Sequence, residues 1–248
     1  MTDALHLEDA ALLHCQATIT AVGEAGIELD RTVFYARGGG QAGDAGQIVA
    51  ADGRTLAITD TRKGETAGRA LHVPAPGADL GGWSVGQPVR AEVDAPRRQA
   101  HRRFHTATHL LCALVPHPVD GCSITATTAR LDFHMTEPLD REQLNAGLAR
   151  LVAEAHAVSH RWISEAELDA NPQLVRSMSV QPPRSGTGQG RIRVIDVDGV
   201  DMQPCGGTHV ANTADIGAVV VTKIEKKSAR TRRVVLGFAA DLRAQAEA

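Results

Sequence analysis

Aromatic side chains are scarce in this sequence: Phe, Trp and Tyr make up only 3% of its 248 residues. A protein that binds nucleic acid by stacking bases needs several exposed aromatic rings. The scarcity therefore argues against a base-stacking platform. Because hydrophobic residues still account for 43% of the chain, the core must be built mainly from Ala, Val, Leu and Ile.

Long hydrophobic runs and paired cysteines are also lacking. No apolar run approaches the ~20 residues that span a membrane, and the first ten residues, MTDALHLEDA, are acidic and have no basic n-region. The four cysteines are spread along the chain and never form C-x-x-C, so disulfides are not expected. We expect a cytoplasmic protein with no membrane partner.

Positive charge is not in excess, but it is unevenly distributed. The formal net charge of −3 argues against a protein that coats nucleic acid nonspecifically. Residues 1–95 contain 7 Lys and Arg against 13 Asp and Glu, whereas the remainder contains 19 against 16. The second part of the chain is the better candidate for contact with a polyanion.

The pattern of the sequence changes near residue 95, which predicts two domains, 1–95 and 96–248. Short β-like runs broken by turn residues extend from Ala17 to about Asp94, and Asp52-Gly53 marks a hairpin. This pattern indicates a small antiparallel barrel or sandwich.

The second part is expected to be α+β with a largely antiparallel sheet. Helical periodicity begins after Pro96 in RRQAHRRFHTATHLLCAL, which Pro116 ends, and returns in LDREQLNAGLARLVAEAHAV. Strand patterns follow in RIRVIDVD, IGAVVVTKIE and TRRVVLGF. By composition QPPRSGTGQG, residues 181–190, is a mobile loop.

Two local signals mark helix starts in the second part. Asp140 followed by Gln143 resembles a capping box, and Ser164 with Glu167 is a fuller version that starts another short helix. The helix that follows Asp140 is expected to bury one apolar face, formed by Leu144, Leu148, Leu151, Val152 and Ala155.

Candidate metal ligands occur as two pairs, each spaced by four residues. HTATH places His105 and His109 on one helix face, close enough to bind a single ion. His101 lies one turn earlier. Because a helix rises ~1.5 Å per residue, His101 and His109 would be roughly 12 Å apart. Only two of the three histidines can share an ion directly.

The second pair, Cys205 and His209, lies in DMQPCGGTHVANT. A tight turn that happens to carry both residues would explain this stretch, and so would a metal site. Thiolate and imidazole suit zinc, and the Gly206-Gly207 backbone can fold tightly around an ion. The two pairs together favour a zinc site built across the fold, with two helix ligands and two loop ligands.

Four segments of the sequence resemble one known family. RRFHTATHLLCAL, GCSITATTARLDF, IRVIDVDGVDMQPCGGTHVANTADIG and FYARGGGQAGDAG together resemble the alanyl-tRNA editing proteins of the AlaX type and the editing region of alanyl-tRNA synthetase. The glycine-rich segment is typical of the longer members. By this resemblance His105, His109, Cys205 and His209 bind zinc, and a translation-factor-like β-barrel precedes an α+β editing domain. His101 lies outside the matched motif and is expected to be a polar surface residue.

The resemblance implies a trans-editing hydrolase that removes serine or glycine from mischarged tRNA(Ala). A synthetase pocket shaped for alanine cannot strongly reject glycine, and it discriminates only weakly against an added hydroxyl, so a hydrolytic sieve is needed. Zinc can polarise the ester carbonyl, lower the pKa of a bound water or hold the substrate, and the sequence does not choose among these roles. Four protein ligands are, however, typical of a closed structural site.

Two other functions are compatible with these motifs. The alternative from a different class is a non-catalytic, zinc-stabilised tRNA-binding accessory module. Removal of serine from threonine tRNA is disfavoured, because CGGTH and GGGQ are typical of the alanine system.

Substrate contacts are expected near the zinc ligands. Thr125 lies in a segment that resembles the family's pocket wall, and we hypothesise that its hydroxyl recognises the serine hydroxyl. A strand threonine with no such role is the alternative. Gly207 and Thr208 are the other expected substrate contacts, although Thr208 equally suits a turn cap.

Contacts with tRNA are expected from a glycine segment and from basic clusters. Gly38, Gly39, Gly40 and Gln41 could cradle the acceptor end, but they lack the Lys and Ser/Thr of a phosphate-binding P-loop. The basic candidates are Arg97, Arg98, Arg102, Arg103, Lys223, Lys226, Lys227, Arg230, Arg232 and Arg233.

Overall fold

The chain forms two compact units in a computed structural model that describes residues 1–179, 181–182 and 190–241. The first unit comprises Met1–Gly38 and Ala42–Gln99. The second comprises Gly39–Gln41 together with the chain from Ala100 onward. Most of the loop expected at 181–190 lies outside the described residues.

The first unit contains a closed barrel of six strands. The strands of the whole unit, eight in number, are β1 (Asp3–Ala4), β2 (His14–Gly23), β3 (Gly26–Leu29), β4 (Arg31–Thr32), β5 (Gly46–Ala50), β6 (Thr55–Lys63), β7 (Ala70–Pro74) and β8 (Pro88–Val93). The barrel order is β2-β3-β7-β6-β5-β8, and every neighbouring pair is antiparallel. Strands β1 and β4 form a separate parallel pair. Of the two expected architectures, barrel and sandwich, the chain adopts the barrel.

The barrel is held together by alternation of apolar and polar residues. Along β6, Leu56 and Ile58 point into the core, whereas Thr55 and Ala57 are exposed. The predicted β5–β6 hairpin is confirmed, and Gly53 has a φ of 87°, a conformation that favours glycine. The buried apolar set of the barrel includes Ile19, Ile27, Leu29, Ile48, Leu56, Ile58, Val89 and Ala91.

A buried ion pair further stabilises the first unit. Arg98 is fully buried, pairs with Asp44 and donates to the carbonyls of Ala10 and Val33. Asp44 also accepts the Tyr35 N–H at 2.7 Å. Breaking a pair of this kind costs about 3–5 kcal/mol, because it leaves an uncompensated charge. The expectation that Arg98 contacts tRNA is wrong, since its guanidinium has no exposed surface.

The second unit is built from helices and two antiparallel sheets. Its elements are α1 (Ala95–Leu114, which begins in the first unit), β9 (Val119–Ile124), β10 (Ala129–His134), α2 (Arg141–Ala153), β11 (Val158–Ser164), α3 (Glu165–Ala170), β12 (Arg191–Val197), β13 (Asp201–Pro204), β14 (Val219–Ser228) and β15 (Thr231–Phe238). One sheet has the order β14-β15-β10-β9 and the other has the order β11-β12-β13. The largely antiparallel sheet structure is confirmed.

Both predicted helix starts are confirmed, and the reciprocal capping box is formed at the second of them. The Asp140 side chain accepts the N–H groups of Glu142 and Gln143 at the start of α2. Ser164 and Glu167 form a reciprocal capping box at the start of α3. The apolar face of α2 buries Leu144, Leu148 and Leu151, with Val152 partly buried. Ala155 is wrong as a member of that face, because α2 ends at Ala153 and Ala155 is exposed with a φ of 55°.

One core lies beneath the larger sheet of the second unit. Phe104 and Leu111 of α1 and Leu148 of α2 are fully buried among apolar residues of β9, β10 and β15. The Phe104 ring stacks on Phe238, with centroids 3.9 Å apart. This packing fixes α1, which carries the first pair of candidate metal ligands. Among the described residues, no helix has the length and apolar character needed to cross a membrane.

Candidate metal centre

The four candidate ligands converge in the second unit. One ligand atom from each of His105, His109, Cys205 and His209 lies within 4.8 Å of the others. The histidines are each 5% exposed, and Cys205 is partly buried. Two ligands come from α1 and two from the loop that follows β13. The alternative of a turn that carries unrelated residues does not explain this convergence.

Helix geometry explains why α1 supplies two ligands. His105 and His109 are four residues apart, so their rings lie on one face with centroids 5.7 Å apart. The loop brings the His209 ring to 4.4 Å from His105 and 4.8 Å from His109. His101 is not part of this group. The expectation that it lies on the surface is wrong, because it is fully buried in the second unit.

Two of the donor spacings match those around a tetrahedral zinc ion. With Zn–S bonds of about 2.3 Å and Zn–N bonds of about 2.0–2.1 Å, sulfur and nitrogen lie about 3.5 Å apart. The Cys205 Sγ is 3.4 Å from Nε2 of His105 and 3.3 Å from Nε2 of His209. One thiolate and three imidazoles form a donor set typical of zinc. The residues present therefore fit a zinc ion.

Each of the three histidines has a partner at its other ring nitrogen. Nδ1 of His109 lies 2.8 Å from the Asp201 carboxylate, and Nδ1 of His209 lies 3.1 Å from the Thr106 hydroxyl. Nδ1 of His105 lies 2.7 Å from Oε1 of Gln41. Partners of this kind fix the ring orientation and leave Nε2 for a metal ion.

Backbone and side-chain contacts hold the ligand loop in place. The guanidinium of Arg193 donates to the carbonyl oxygens of Cys205 and Gly207 at 2.9 and 3.1 Å. The Gly207 N–H points at the Cys205 sulfur at 3.4 Å. A Cβ at Gly207 would lie 2.1 Å from the His105 ring, so only glycine permits this approach.

The electrostatics of the cluster favour a thiolate at Cys205. Burial raises the pKa of this thiol, but the neighbouring His105 and His209 outweigh burial and hold the pKa well below its usual value. Burial lowers the pKa of His109, and hydrogen bonds with Asp201 and Cys205 raise it to about 10. Burial and the neighbouring His105 keep the pKa of His209 well below its usual value. A buried thiolate and carboxylate among three imidazoles suit a divalent cation.

The expected substrate residues have different surroundings. Thr125 lies in the turn between β9 and β10, where its hydroxyl donates to the Thr128 carbonyl and accepts the N–H groups of Thr127 and Thr128. Gly207 and Thr208 lie in the ligand loop. The Thr208 side chain is fully buried and bonds to Gln41.

The glycine segment contributes to the metal centre through its last residue. Gly38 accepts the Tyr35 hydroxyl at 2.6 Å, and Gly39 is exposed with a φ of 54°. The Gly40 carbonyl accepts the Ile124 N–H at 2.8 Å. Gln41 is fully buried, unlike the exposed backbone cradle that the sequence suggested.

Two of the expected tRNA contacts already bind carbonyl oxygens of the protein backbone. Arg102 donates to the His209 carbonyl at 2.8 Å. Arg103 donates to the Ile216 carbonyl at 2.7 Å and stacks on the Phe238 ring.

The remaining basic candidates lie on the β14–β15 hairpin. Lys226, Lys227 and Arg230 are exposed, which suits contact with a polyanion. Arg232 is nearly buried and donates to the carbonyls of Ser228 and Thr231.

Sequence reasoning missed Asp201, Thr106 and Arg193. Asp201 precedes the CGGTH motif in DMQPCGGTH, and an acidic residue four positions before a candidate metal ligand is a signal that could have found it. Thr106 lies inside HTATH, between the two histidines identified as candidate ligands. Arg193 has no such signal, because a strand arginine is usually exposed.

Comparisons with known proteins find relatives among tRNA synthetases and tRNA editing proteins. Residues 192–235 match the family "Threonyl and Alanyl tRNA synthetase second additional domain", and residues 8–97 match "tRNA synthetases class II (A)". The chain is 30% identical over 245 residues to the alanyl-tRNA editing protein AlaX-M of Methanosarcina mazei, covering 94% of this chain and 95% of that protein.

Two further relatives cover different shares of their own length. The AlaX-M protein of Saccharolobus solfataricus is 27% identical over 238 residues, covering 94% of this chain and 98% of that protein. An alanine–tRNA ligase of Synechococcus is 34% identical over 225 residues, covering 84% of this chain but only 23% of the ligase. The similarity to the M. mazei protein spans nearly all of both chains, so this chain belongs to the alanyl-tRNA editing protein family.

Proposed function

We propose that this protein removes wrongly attached serine or glycine, or both, from tRNA(Ala) in trans, at a zinc ion held by His105, His109, Cys205 and His209. As an alanyl-tRNA editing protein it is an enzyme, an aminoacyl-tRNA deacylase that hydrolyses a carboxylic ester. We further assign the barrel as translation-factor-like and residues 96–248 as the α+β editing domain. We also propose that the reaction takes place in the cytoplasm.

The convergence of the four ligand atoms carries this proposal. Their donor set, spacing and burial suit zinc, and each imidazole has a partner that directs one nitrogen toward the cluster. An editing site needs a place where an ester and an attacking water meet. The buried candidate ligands of this chain could form such a place, and the chain belongs to a family of editing proteins.

The residues of the chain have separable roles in the reaction. Cys205 and the three histidines hold the metal, which when bound can polarise an ester carbonyl, lower the pKa of a water or hold the substrate. Asp201 and Thr106 orient two imidazoles. Arg193 holds the carbonyls of the ligand loop, so Cys205 stays at a fixed position.

Recognition of the amino acid is assigned to Thr125 in the β9–β10 turn and to two residues of the ligand loop. Thr125 is the proposed group for the serine hydroxyl. Its own hydroxyl is engaged within the β9–β10 turn, so binding serine requires that it exchange one of those bonds for the substrate. We propose that Gly207 and Thr208 border the amino-acid pocket, because they lie between the ligands Cys205 and His209.

The tRNA backbone is assigned chiefly to the exposed residues Lys226, Lys227 and Arg230 of the β14–β15 hairpin. Gly38, Gly39, Arg102, Arg103 and Arg232 are assigned as secondary contacts. Replacing all three exposed residues with Glu should weaken tRNA binding and reduce the slope of affinity against salt. Filter binding at several salt concentrations measures that slope, and an unchanged slope would remove the hairpin from the interface.

The decisive test is deacylation of Ser-, Gly- and Ala-charged tRNA(Ala) by the wild type and by Cys205→Ala. Circular dichroism and zinc content are measured on both proteins. We expect rapid loss of serine or glycine, no loss of alanine, and no activity in the folded variant. A zinc-loaded wild type that binds tRNA(Ala) but deacylates none of these substrates would instead identify a zinc-stabilised binding module.

A further inference from the structure

Gln41 is a buried amide in direct contact with the metal centre. Its side chain is fully buried, and it belongs to the same compact unit as the four ligands. Its Oε1 lies 2.7 Å from Nδ1 of His105 and 3.1 Å from the N–H of Thr208. Its Nε2 lies 3.0 Å from the Thr208 hydroxyl. One side chain thus joins a ligand on α1 to the loop that carries Cys205 and His209.

The contacts of Gln41 decide the tautomer of His105. A backbone N–H can only donate, so the atom that faces the Thr208 N–H must be the amide oxygen of Gln41. The same oxygen faces Nδ1 of His105, and this nitrogen must therefore carry a proton. Nε2 then has the free lone pair. It is also the nitrogen that lies 3.4 Å from the Cys205 sulfur.

The backbone on either side of Gln41 has little freedom to move. Gln41 forms a parallel bridge with Ile124 at the end of β9, and the Gly40 carbonyl accepts the Ile124 N–H. Gly40 has a φ of 88°, and a Cβ there would lie 2.8 Å from the Cys122 side chain. This close approach fixes where the Gln41 side chain starts.

We propose that Gln41 is a positioning residue of the zinc site, which holds His105 in the tautomer that offers Nε2 to the metal and ties the ligand loop to α1. The inference rests on the proposed zinc binding. It gives the final residue of the glycine segment a role in the metal centre, in place of direct contact with tRNA. Loss of a hydrogen-bond partner of this kind typically weakens metal affinity by about 10–100-fold.

Two substitutions separate hydrogen bonding from simple filling of space. Gln41→Leu keeps a similar volume but removes the acceptor for His105. Gln41→Glu keeps an acceptor for both His105 and the Thr208 N–H, and the Thr208 hydroxyl can rotate to donate to it. Gln47→Leu is the matched control, because Gln47 is exposed on β5, where its side-chain amide donates to the Glu92 carboxylate.

Zinc affinity is measured in all four proteins by competition with a chromophoric chelator, with folding checked by circular dichroism. We expect Gln41→Leu to bind zinc about 10–100-fold more weakly than the wild type. Gln41→Glu should stay within about threefold, since the partner of His105 is retained. Gln47→Leu should bind zinc with the affinity of the wild type. In the zinc-loaded wild type, two-bond ¹H–¹⁵N correlation spectra should show His105 protonated at Nδ1.

The possible outcomes distinguish this inference from the proposed function. If the wild type binds zinc and folded Gln41→Leu binds it equally well, the inference is overturned and the proposed function stands. The inference is also overturned if Gln41→Leu and Gln41→Glu weaken zinc binding equally. If Gln41→Leu does not fold, the wild-type spectrum still decides, because a His105 proton on Nε2 excludes the proposed tautomer. A wild type that binds no zinc overturns both.

Discussion

Gly207→Ala should disrupt the metal centre although it adds a single methyl group. A Cβ at this position would lie 2.1 Å from Cε1 and 2.3 Å from Nδ1 of His105. An ordinary contact begins at 3.4 Å, so the ring or the loop must move by about 1.3 Å. Metal–ligand distances tolerate only about 0.2 Å. The substitution should therefore remove one ligand of four.

The magnitude follows from the energy of a complete zinc site. Structural zinc sites contribute about 10–16 kcal/mol, so one ligand of four is worth about 3 kcal/mol. That loss corresponds to roughly a 100-fold weaker dissociation constant for zinc. The dissociation constant is measured by chelator competition, and the zinc content of the purified protein is measured in parallel.

Gly206→Ala is a matched control for this experiment. Gly206 is the neighbouring residue in the same loop, but a Cβ there would meet no atom within 4 Å. Neither glycine has the positive φ that disfavours other residues. Gly206→Ala should therefore bind zinc as the wild type does. Wild-type zinc affinity in Gly207→Ala, or equal weakening of zinc binding in both variants, would refute a disruptive contact between residue 207 and His105.

Three further predictions address other parts of the molecule. Asp201→Asn should weaken zinc binding about tenfold by chelator competition, because the partner of His109 loses its charge, whereas unchanged affinity would contradict that role. His72 is fully buried, and burial lowers its pKa from 6.5 to about 4. The unfolded chain therefore takes up this proton first, and the free energy of unfolding should fall by about 3 kcal/mol as the pH drops from 6.5 to 4. Urea titrations should show a smaller fall in His72→Gln, and an identical fall would disprove the assignment. Thr125→Val should slow removal of serine but not of glycine in a deacylation assay, and equal rates relative to wild type would reject the recognition hypothesis.

Features encoded by a few adjacent residues were predictable from the sequence. The β5–β6 hairpin depends on Asp52-Gly53, and the start of α3 depends on Ser164 and Glu167. The spacing of four within HTATH is sufficient to place two imidazoles on one face of α1. In each case the interacting groups lie within one turn of helix or one hairpin, so local geometry determines them.

Features that depend on distant residues were not predictable in the same way. Gln41 and Thr208 are 167 residues apart, and nothing near either residue indicates that they meet. Arg98 was likewise expected at the surface, but it is buried in an ion pair with Asp44, which lies 54 residues away in sequence. His101 shows the same limit. Helical periodicity identifies which residues share a face, but it does not reveal that packing buries His101 completely.

The change of sequence pattern near residue 95 is therefore a boundary along the chain but not a complete boundary in space. Gly39–Gln41 lies among the residues of the barrel in sequence, yet it belongs to the unit that holds the candidate metal ligands. A cut after residue 95 would remove the acceptor of the His105 proton and the carbonyl that pairs with Ile124. In a closed site each imidazole needs its outer partner, because a ring free to rotate offers the metal a lone pair only part of the time. All four proposed ligands lie after residue 95, but on the proposed role of Gln41 the hydrogen bond that orients His105 depends on a residue before that boundary.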